Sequence, residues 1–339
     1  MTNAHTFLLL AIAIFNLWGS VQAASAAGID YSAPYCAKPK THTACTPEGS
    51  PSIAPKGFPK GGWPTRSIPF VYGKVEGVLG GDKLKNAIRA VLKDVQSHSP
   101  LTFYECTDEP KLRAHITSVM TSTAAKPAYM RFSFENRQCK NESMGYPITS
   151  TWLDVVKGGP DREAIGISEV KIGGSQCSEV DPMGIGHEIL HGLGFYHNLE
   201  SPKADPYFKL TGAPDPKFLK IKQLQQQSVA GVAFAKTEFD YFSLVGSNVE
   251  AEGQAIFAPK EKFKQFAAQV KKRYGIDIYY TVSKSGGPFG TVNHDTHFNQ
   301  SSCQSQGDSD KLDLIYGPSS GLKCDAFNIS SVPSCKPLQ

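Results

Sequence analysis

The chain lacks several features that would fix a simple class. After Trp18 no apolar run approaches the ~20 residues needed to span a bilayer, so no spanning segment is expected. Positive charge is thin: the formal net charge is +4, and the densest basic cluster is Lys271-Lys272-Arg273. That cluster falls at the end of a predicted helix, where cations complement the helix dipole. Neither nucleic acid nor a stable membrane association is therefore expected as a partner. No C-x-x-C pair occurs, which excludes the usual structural zinc cluster, and no internal repeat is visible. Methionine is sparse, and none follows Met183.

What is present suits an exported globular protein. Apolar residues make up 40% and charged residues 19% of the 339, enough for one substantial domain with additions or two small ones. Phe7 to Trp18 is an apolar run followed by small residues around Val21–Ala26. It reads as a signal peptide over 1–23, although no Lys or Arg precedes it. The eight cysteines, Cys36, Cys45, Cys106, Cys139, Cys177, Cys303, Cys324 and Cys335, all lie beyond that segment. An even count in an exported chain implies disulfides, with connectivity open. Asn141, Asn299 and Asn328 head N-x-S/T triplets that a secretory pathway could glycosylate. A secreted, extracellular location is expected.

The middle of the chain reads as α+β. Residues 63–72 look like the entry into a first strand, and 82–98 a helix with Leu84, Ile88, Val91, Leu92 and Val95 along one face. Further strands are expected at 101–104, 114–119, 131–134, 148–153 and 164–170. A second helix is expected over about 182–192, where Asp181-Pro182 supplies a cap and first-turn proline. A late amphipathic helix covers about 260–274, and the last ~50 residues read as loop-rich and disulfide-tied.

One stretch constrains chemistry. Residues 187–197 read His-Glu-Ile-Leu-His-Gly-Leu-Gly-Phe-Tyr-His, the pattern H-E-x-x-H-x-x-G-x-x-H. On a helix, His187 and His191 lie one turn apart on the same face and aim two imidazoles at one point. Glu188 sits beside the first, placed to act as a general base without occupying the metal. Gly194 can take a positive φ, end the helix and turn the chain. His197 then approaches from another direction. Three histidines with one open position suit catalytic Zn2+. His294 and His297 form another short pair, better read as loop histidines than as a second metal site. His42, His98 and His115 are isolated and carry no signal.

These residues resemble the astacin family of zinc metallopeptidases, in the metzincin clan. The likeness extends to Asp205 and Tyr207 after the third histidine, to Trp63-Pro64 with Ile68-Pro69-Phe70, and to residues 239–245, which look like the approach to the family's methionine turn. It covers roughly 63–285. The resemblance implies a zincin-like fold: a twisted, mostly parallel sheet, an active-site helix and a loop-rich, disulfide-tied C-terminal subdomain. It also implies secreted zinc endopeptidase activity on protein or peptide substrates, with His187, His191 and His197 as metal ligands and Glu188 as the base. Cys177 falls near a family cysteine, which makes Cys139 its expected partner; Cys106 is expected to join the C-terminal part.

The departures bear on rate. Val245 falls near the place of the missing methionine, and Ser247 where the family carries a tyrosine donor to the transition state. Loss of such a donor costs typically a few kcal/mol of transition-state stabilisation. Asn198 replaces a glutamate that holds the mature N-terminus in the family. Ser201, Lys203 and Ala204 break the charged part of the extended motif. The chain thus reads as a divergent member. The other class to weigh is a secreted zinc-binding interaction protein on a peptidase scaffold, which Glu188 argues against. Residues 24–62 are either a propeptide that blocks the metal through Asp30, Glu48 or a cysteine thiolate, or an extension closed by a Cys36–Cys45 bond. For the cysteines the bond is the favoured reading. Lys60 precedes a plausible cleavage point, and 286–339 form a cysteine-containing C-terminal extension.

Overall fold

The computed structural model describes residues 34–42, 62–75, 81–119, 128–134, 140–141, 166–173, 182–198, 201–210, 237, 239–245, 250–251, 254–255, 257–275, 277, 281–283, 291–293, 303–320, 322, 324–325 and 327–339. Its frame is a six-stranded sheet with helices packed on it. The strands are β1 (Ser67–Tyr72), β2 (Thr102–Cys106), β3 (Ala128–Phe134), β4 (Lys140–Asn141), β5 (Gly166–Ile172) and β6 (Cys335–Pro337). Their order is β6-β2-β1-β3-β5-β4. The four central strands are parallel, and the short outer strands β6 and β4 run antiparallel to them. Parallel strands need crossovers. The helix α1 (Gly81–Ser97) makes the first, from β1 to β2, and α2 (Glu109–Val119) lies between β2 and β3.

The helix α1 follows its apolar period, with Leu84, Ile88, Val91, Leu92 and Val95 all buried. The central strands β1 and β3 are buried along most of their length, as a parallel sheet covered on its faces requires. The expected strand over 114–119 is instead the second half of α2. Its β-branched residues suggested extended chain, but Leu112 and Ile116 sit four apart and are both fully buried. Asp108 Oδ1 accepts the Lys111 amide at 2.9 Å and starts the helix. The expected strand at 148–153 lies outside the described residues. The helices α3 (Pro182–Gly192) and α4 (Glu261–Tyr274) form close to their expected positions.

The C-terminal part holds more structure than its Ser, Gly and Asn content suggested. It carries α5 (Gln306–Tyr316), opened by Ser305, whose Oγ accepts the Asp308 amide at 3.0 Å. Leu312, Ile315 and Tyr316 join the same core as β1, β3, α1 and α3. A second, smaller cluster of Ala204, Phe208, Phe239 and Phe263 lies around α4, with Tyr207 and Tyr241 against it.

Two disulfides are fully described. Cys106 bonds Cys335 and ties β6 to β2, in line with the expectation for Cys106. Cys36 bonds Cys303, not Cys45. Export favoured a disulfide within the extension, but residues 34–42 lie as a strap along α5. Ala37 N donates to Gln304 O at 2.8 Å, and Lys40 Nζ pairs with Asp313 at 2.6 Å. Cys324 is also disulfide-bonded, to a cysteine outside the described residues. Cys45, Cys139 and Cys177 lie there too, as do residues 1–33, Lys60, Ser247, Asn299, His294 and His297. Asn328 is exposed. No helix among the described residues is long and apolar enough to cross a membrane.

Candidate metal centre

The helix α3 packs its apolar face, Ile185, Ile189 and Leu190, into the main core against α1. Its opposite side carries His187 and His191. The helix stops through a Schellman motif. Gly194 takes φ 96° and donates its N–H to His191 O at 2.9 Å, and Phe195 N donates to Leu190 O at 3.0 Å. Leu190 and Phe195, whose contact commonly seals this motif, are both buried. A side chain at residue 194 would be strained in this conformation, so the glycine of the motif has a backbone reason. The turn brings His197 back toward the other two histidines.

The three Nε2 atoms converge. His191 and His187 are 2.9 Å apart, His191 and His197 3.1 Å, and His197 and His187 3.3 Å. They form a group able to hold a metal ion, the one such group found among the described residues. The other ring nitrogens reveal the tautomers. His187 Nδ1 lies 2.7 Å from Leu244 O, and His191 Nδ1 lies 2.6 Å from Phe195 O. A carbonyl only accepts, so each Nδ1 carries the proton. In the neutral ring each Nε2 then has a bare lone pair. Burial, reinforced by the neighbouring His197, pushes His187 down to about 4. His191 is also held neutral, by burial first and then by the two other histidines. Lone pairs this close repel unless a cation lies between them. Two nitrogens each 2.0–2.1 Å from a tetrahedral zinc would sit about 3.3–3.4 Å apart, near the observed spacing. The donor set therefore fits Zn2+.

Glu188, adjacent to His187 on α3, is 5% exposed. The helix end is pinned from two sides. Trp63 Nε1 donates to Gly192 O at 2.8 Å, and Tyr316 Oη donates to Leu193 O at 2.8 Å. Tyr316 also accepts the Trp63 amide at 3.4 Å.

Comparison with known proteins gives little at the level of sequence: no family model and no curated protein matches. Solved structures do align with the chain, among them a zinc-protease and myroilysin. High choriolytic enzyme 1, a hatching-enzyme zinc-protease from the medaka fish Oryzias latipes, shares 16% identity, covering 79% of this chain and 94% of its own at a TM-score of 0.40. Myroilysin shares 12%, covering 80% of this chain and 99% of its own at 0.35. Superpositions this loose carry no argument, so the functional reading rests on the chain's own residues.

Beneath the histidines lies the turn of residues 239–245. Its Leu244 carbonyl orients His187, and its Val245 carbonyl accepts the Asn198 amide at 3.1 Å. Val245, near the place of the methionine expected from the resemblance, is buried in the main core. Asp205 and Tyr207 do not reach the histidines through any described bond. Asp205 O accepts Lys260 Nζ at 2.6 Å, and Tyr207 stacks on Phe239.

Several supporting residues escaped the sequence reading. Carbonyl partners such as Leu244 and Phe195 have no side-chain signature. Asp308, Lys311 and Tyr316 belong to α5, whose polar composition masked it. The Ser305-x-x-Asp308 spacing was the one available helix-start signal. His98, read as isolated, is fully buried between α1 and the strap. Its Nδ1 lies 3.1 Å from Asp94 Oδ1 and its Nε2 3.0 Å from Ala37 O.

Proposed function

We propose that this protein is a secreted, metzincin-like zinc endopeptidase, a divergent relative of the astacins. The observation that carries the reading is the convergence of three Nε2 atoms within 3.3 Å beside a buried glutamate. His187, His191 and His197 hold Zn2+ through those atoms. When bound, zinc supplies Lewis acidity toward the scissile carbonyl and lowers the pKa of water toward neutrality. Leu244 and Phe195 keep two of the imidazoles in the tautomer that leaves Nε2 free to ligate, and the core behind α3 holds their spacing. Glu188 takes a proton from the attacking water and delivers it to the departing amine. Burial keeps bulk water from competing for that carboxylate.

In this reading residues 1–23 are a signal peptide, 63–285 carry the catalytic machinery, and 286–339 brace it. Residues 24–62 stay attached as an extension, since Cys36 is bonded to Cys303. Protein or peptide chains are the substrates. The disulfides support an extracellular location. The alternative of a zinc-binding protein without turnover has two supporting features: the serine at 247 where the resemblance calls for a tyrosine donor, and Val245 near the place of the turn methionine.

The test is Glu188→Ala, assayed for zinc content and peptide cleavage with and without a chelator. Zinc should stay near one per chain while cleavage falls about 10²–10⁴-fold, the usual contribution of a general base. Wild-type cleavage that survives full chelation would remove the zinc mechanism. Undiminished cleavage by the variant would remove Glu188 from its role.

A further inference from the structure

A buried ionic cluster lies one layer below the three histidines. Lys311, on α5, is 1% exposed, and Asp308 one turn earlier is 2% exposed. Lys311 Nζ lies 3.2 Å from Asn198 Oδ1, 3.5 Å from Asp308 Oδ1 and 4.0 Å from Asp240 Oδ2. Each of these partners touches the frame of the metal centre. Asn198 follows His197 directly; its Nδ2 donates to Asp240 O at 2.5 Å, and its amide donates to Val245 O. Asp308 accepts Ser243 Oγ at 2.5 Å and the Leu244 amide at 2.8 Å. Leu244 in turn presents its carbonyl to His187. Asp240 accepts Ser305 Oγ at 2.5 Å and the Phe242 amide at 3.0 Å.

A buried ammonium is costly unless its surroundings use it. Asp240 and Asp308 would otherwise face one another as two buried carboxylates, and burial already pushes Asp240 up to about 6, against the pull of Lys311. A structural ion pair on the protein surface would need none of the ties to residues 198 and 244. Here a single cation reaches the side chain of the residue that follows one histidine and, through one carboxylate, the turn whose carbonyl orients another.

We propose that Lys311 is a positioning residue for the three-histidine site, holding His197 through Asn198 and His187 through the Asp308-braced turn. The inference rests on the zinc reading of that site. It predicts that the C-terminal helix is part of the metal centre's support. The cation is supplied by the chain's own interior and needs no separate partner.

The experiment measures zinc affinity by competition with a chromophoric chelator, and the visible spectrum of the cobalt-substituted protein. The proteins are the full-length wild type, Lys311→Met, and Lys311→Met combined with Asp240→Asn. The double variant lowers the buried negative charge that the single variant leaves uncompensated, and it guards against a variant that does not fold. Each is studied at a temperature where circular dichroism shows it folded. Loss of an outer-layer support typically weakens a metal site about 10–100-fold, and the lower end is expected for a residue acting through Asn198 and Asp308. The cobalt bands should shift in the same proteins. Wild-type affinity and an unchanged cobalt spectrum in the folded variants, with only thermal stability reduced, would overturn the proposal. A wild type that binds no zinc would instead overturn the underlying reading, and this inference with it.

Discussion

His98 is fully buried, and both its ring nitrogens face oxygen acceptors: the Asp94 carboxylate and carbonyl on one side, the Ala37 carbonyl on the other. That arrangement suits the doubly protonated ring. Burial opposes the charge, but the Asp94 hydrogen bond and charge, with the backbone acceptors, outweigh it and raise the pKa above 6.5. A group whose folded pKa is raised contributes stability that is complete below its unfolded pKa and is lost as pH rises through the folded value. The neighbouring His42 shifts the other way through burial, and the metal-site histidines 187 and 191 also titrate lower, outside this window. The metal-free protein should therefore lose thermal stability between about pH 6.5 and alkaline pH, and His98→Gln should flatten that slope. Equal slopes in differential scanning calorimetry of the two proteins would refute the linkage. Asp94, one turn earlier, is the local half of this arrangement; the other half is hidden in the sequence because Ala37 is 61 residues away.

At the scale of elements, the end of α3 matters most. The Schellman turn was legible: glycine at the third position after His191 is what a left-handed stop requires. The pins on that turn were not, because Trp63 and Tyr316 come from opposite ends of the chain. Tyr316→Phe leaves the Leu193 carbonyl buried without this donor and should destabilise the protein by about 1–3 kcal/mol. Chemical denaturation would measure it, and a change below ~0.5 kcal/mol would show that water replaces the hydroxyl. The same reasoning explains the two misread elements. The run 114–119 is rich in β-branched residues, yet Leu112 and Ile116 at helical spacing bury against the core, and tertiary packing overrides propensity. Helix α5 has too few apolar residues to stand out, since part of its inward face is the polar set Asp308, Ser309 and Lys311.

At the scale of the whole molecule, both ends of the described chain are tied back onto its body. The strap at 34–42 is bonded to Cys303, and β6 extends the sheet beside β2. A crosslink spanning 267 residues stabilises by on the order of 5 kcal/mol in the chain-entropy model. Proteolysis after Lys60 should therefore yield two chains that migrate together without reductant and separate with it. Release of the N-terminal fragment under non-reducing conditions would contradict the Cys36–Cys303 bond. For the same reason the extension should remain with the rest of the chain after any such cleavage.

The sequence alone determined what depends on local spacing. Four-residue periodicity set α1 and the imidazole face of α3, and a glycine set the turn that follows. Together these specified three histidines and a glutamate before any long-range contact was known. Only the tertiary structure decided which carbonyls fix the tautomers, which cation lies beneath the turn, and which cysteines pair. Those choices join residues separated by tens to hundreds of positions. They are selected by burial, where an unpaired charge or carbonyl is costly, and local pattern carries no record of that selection.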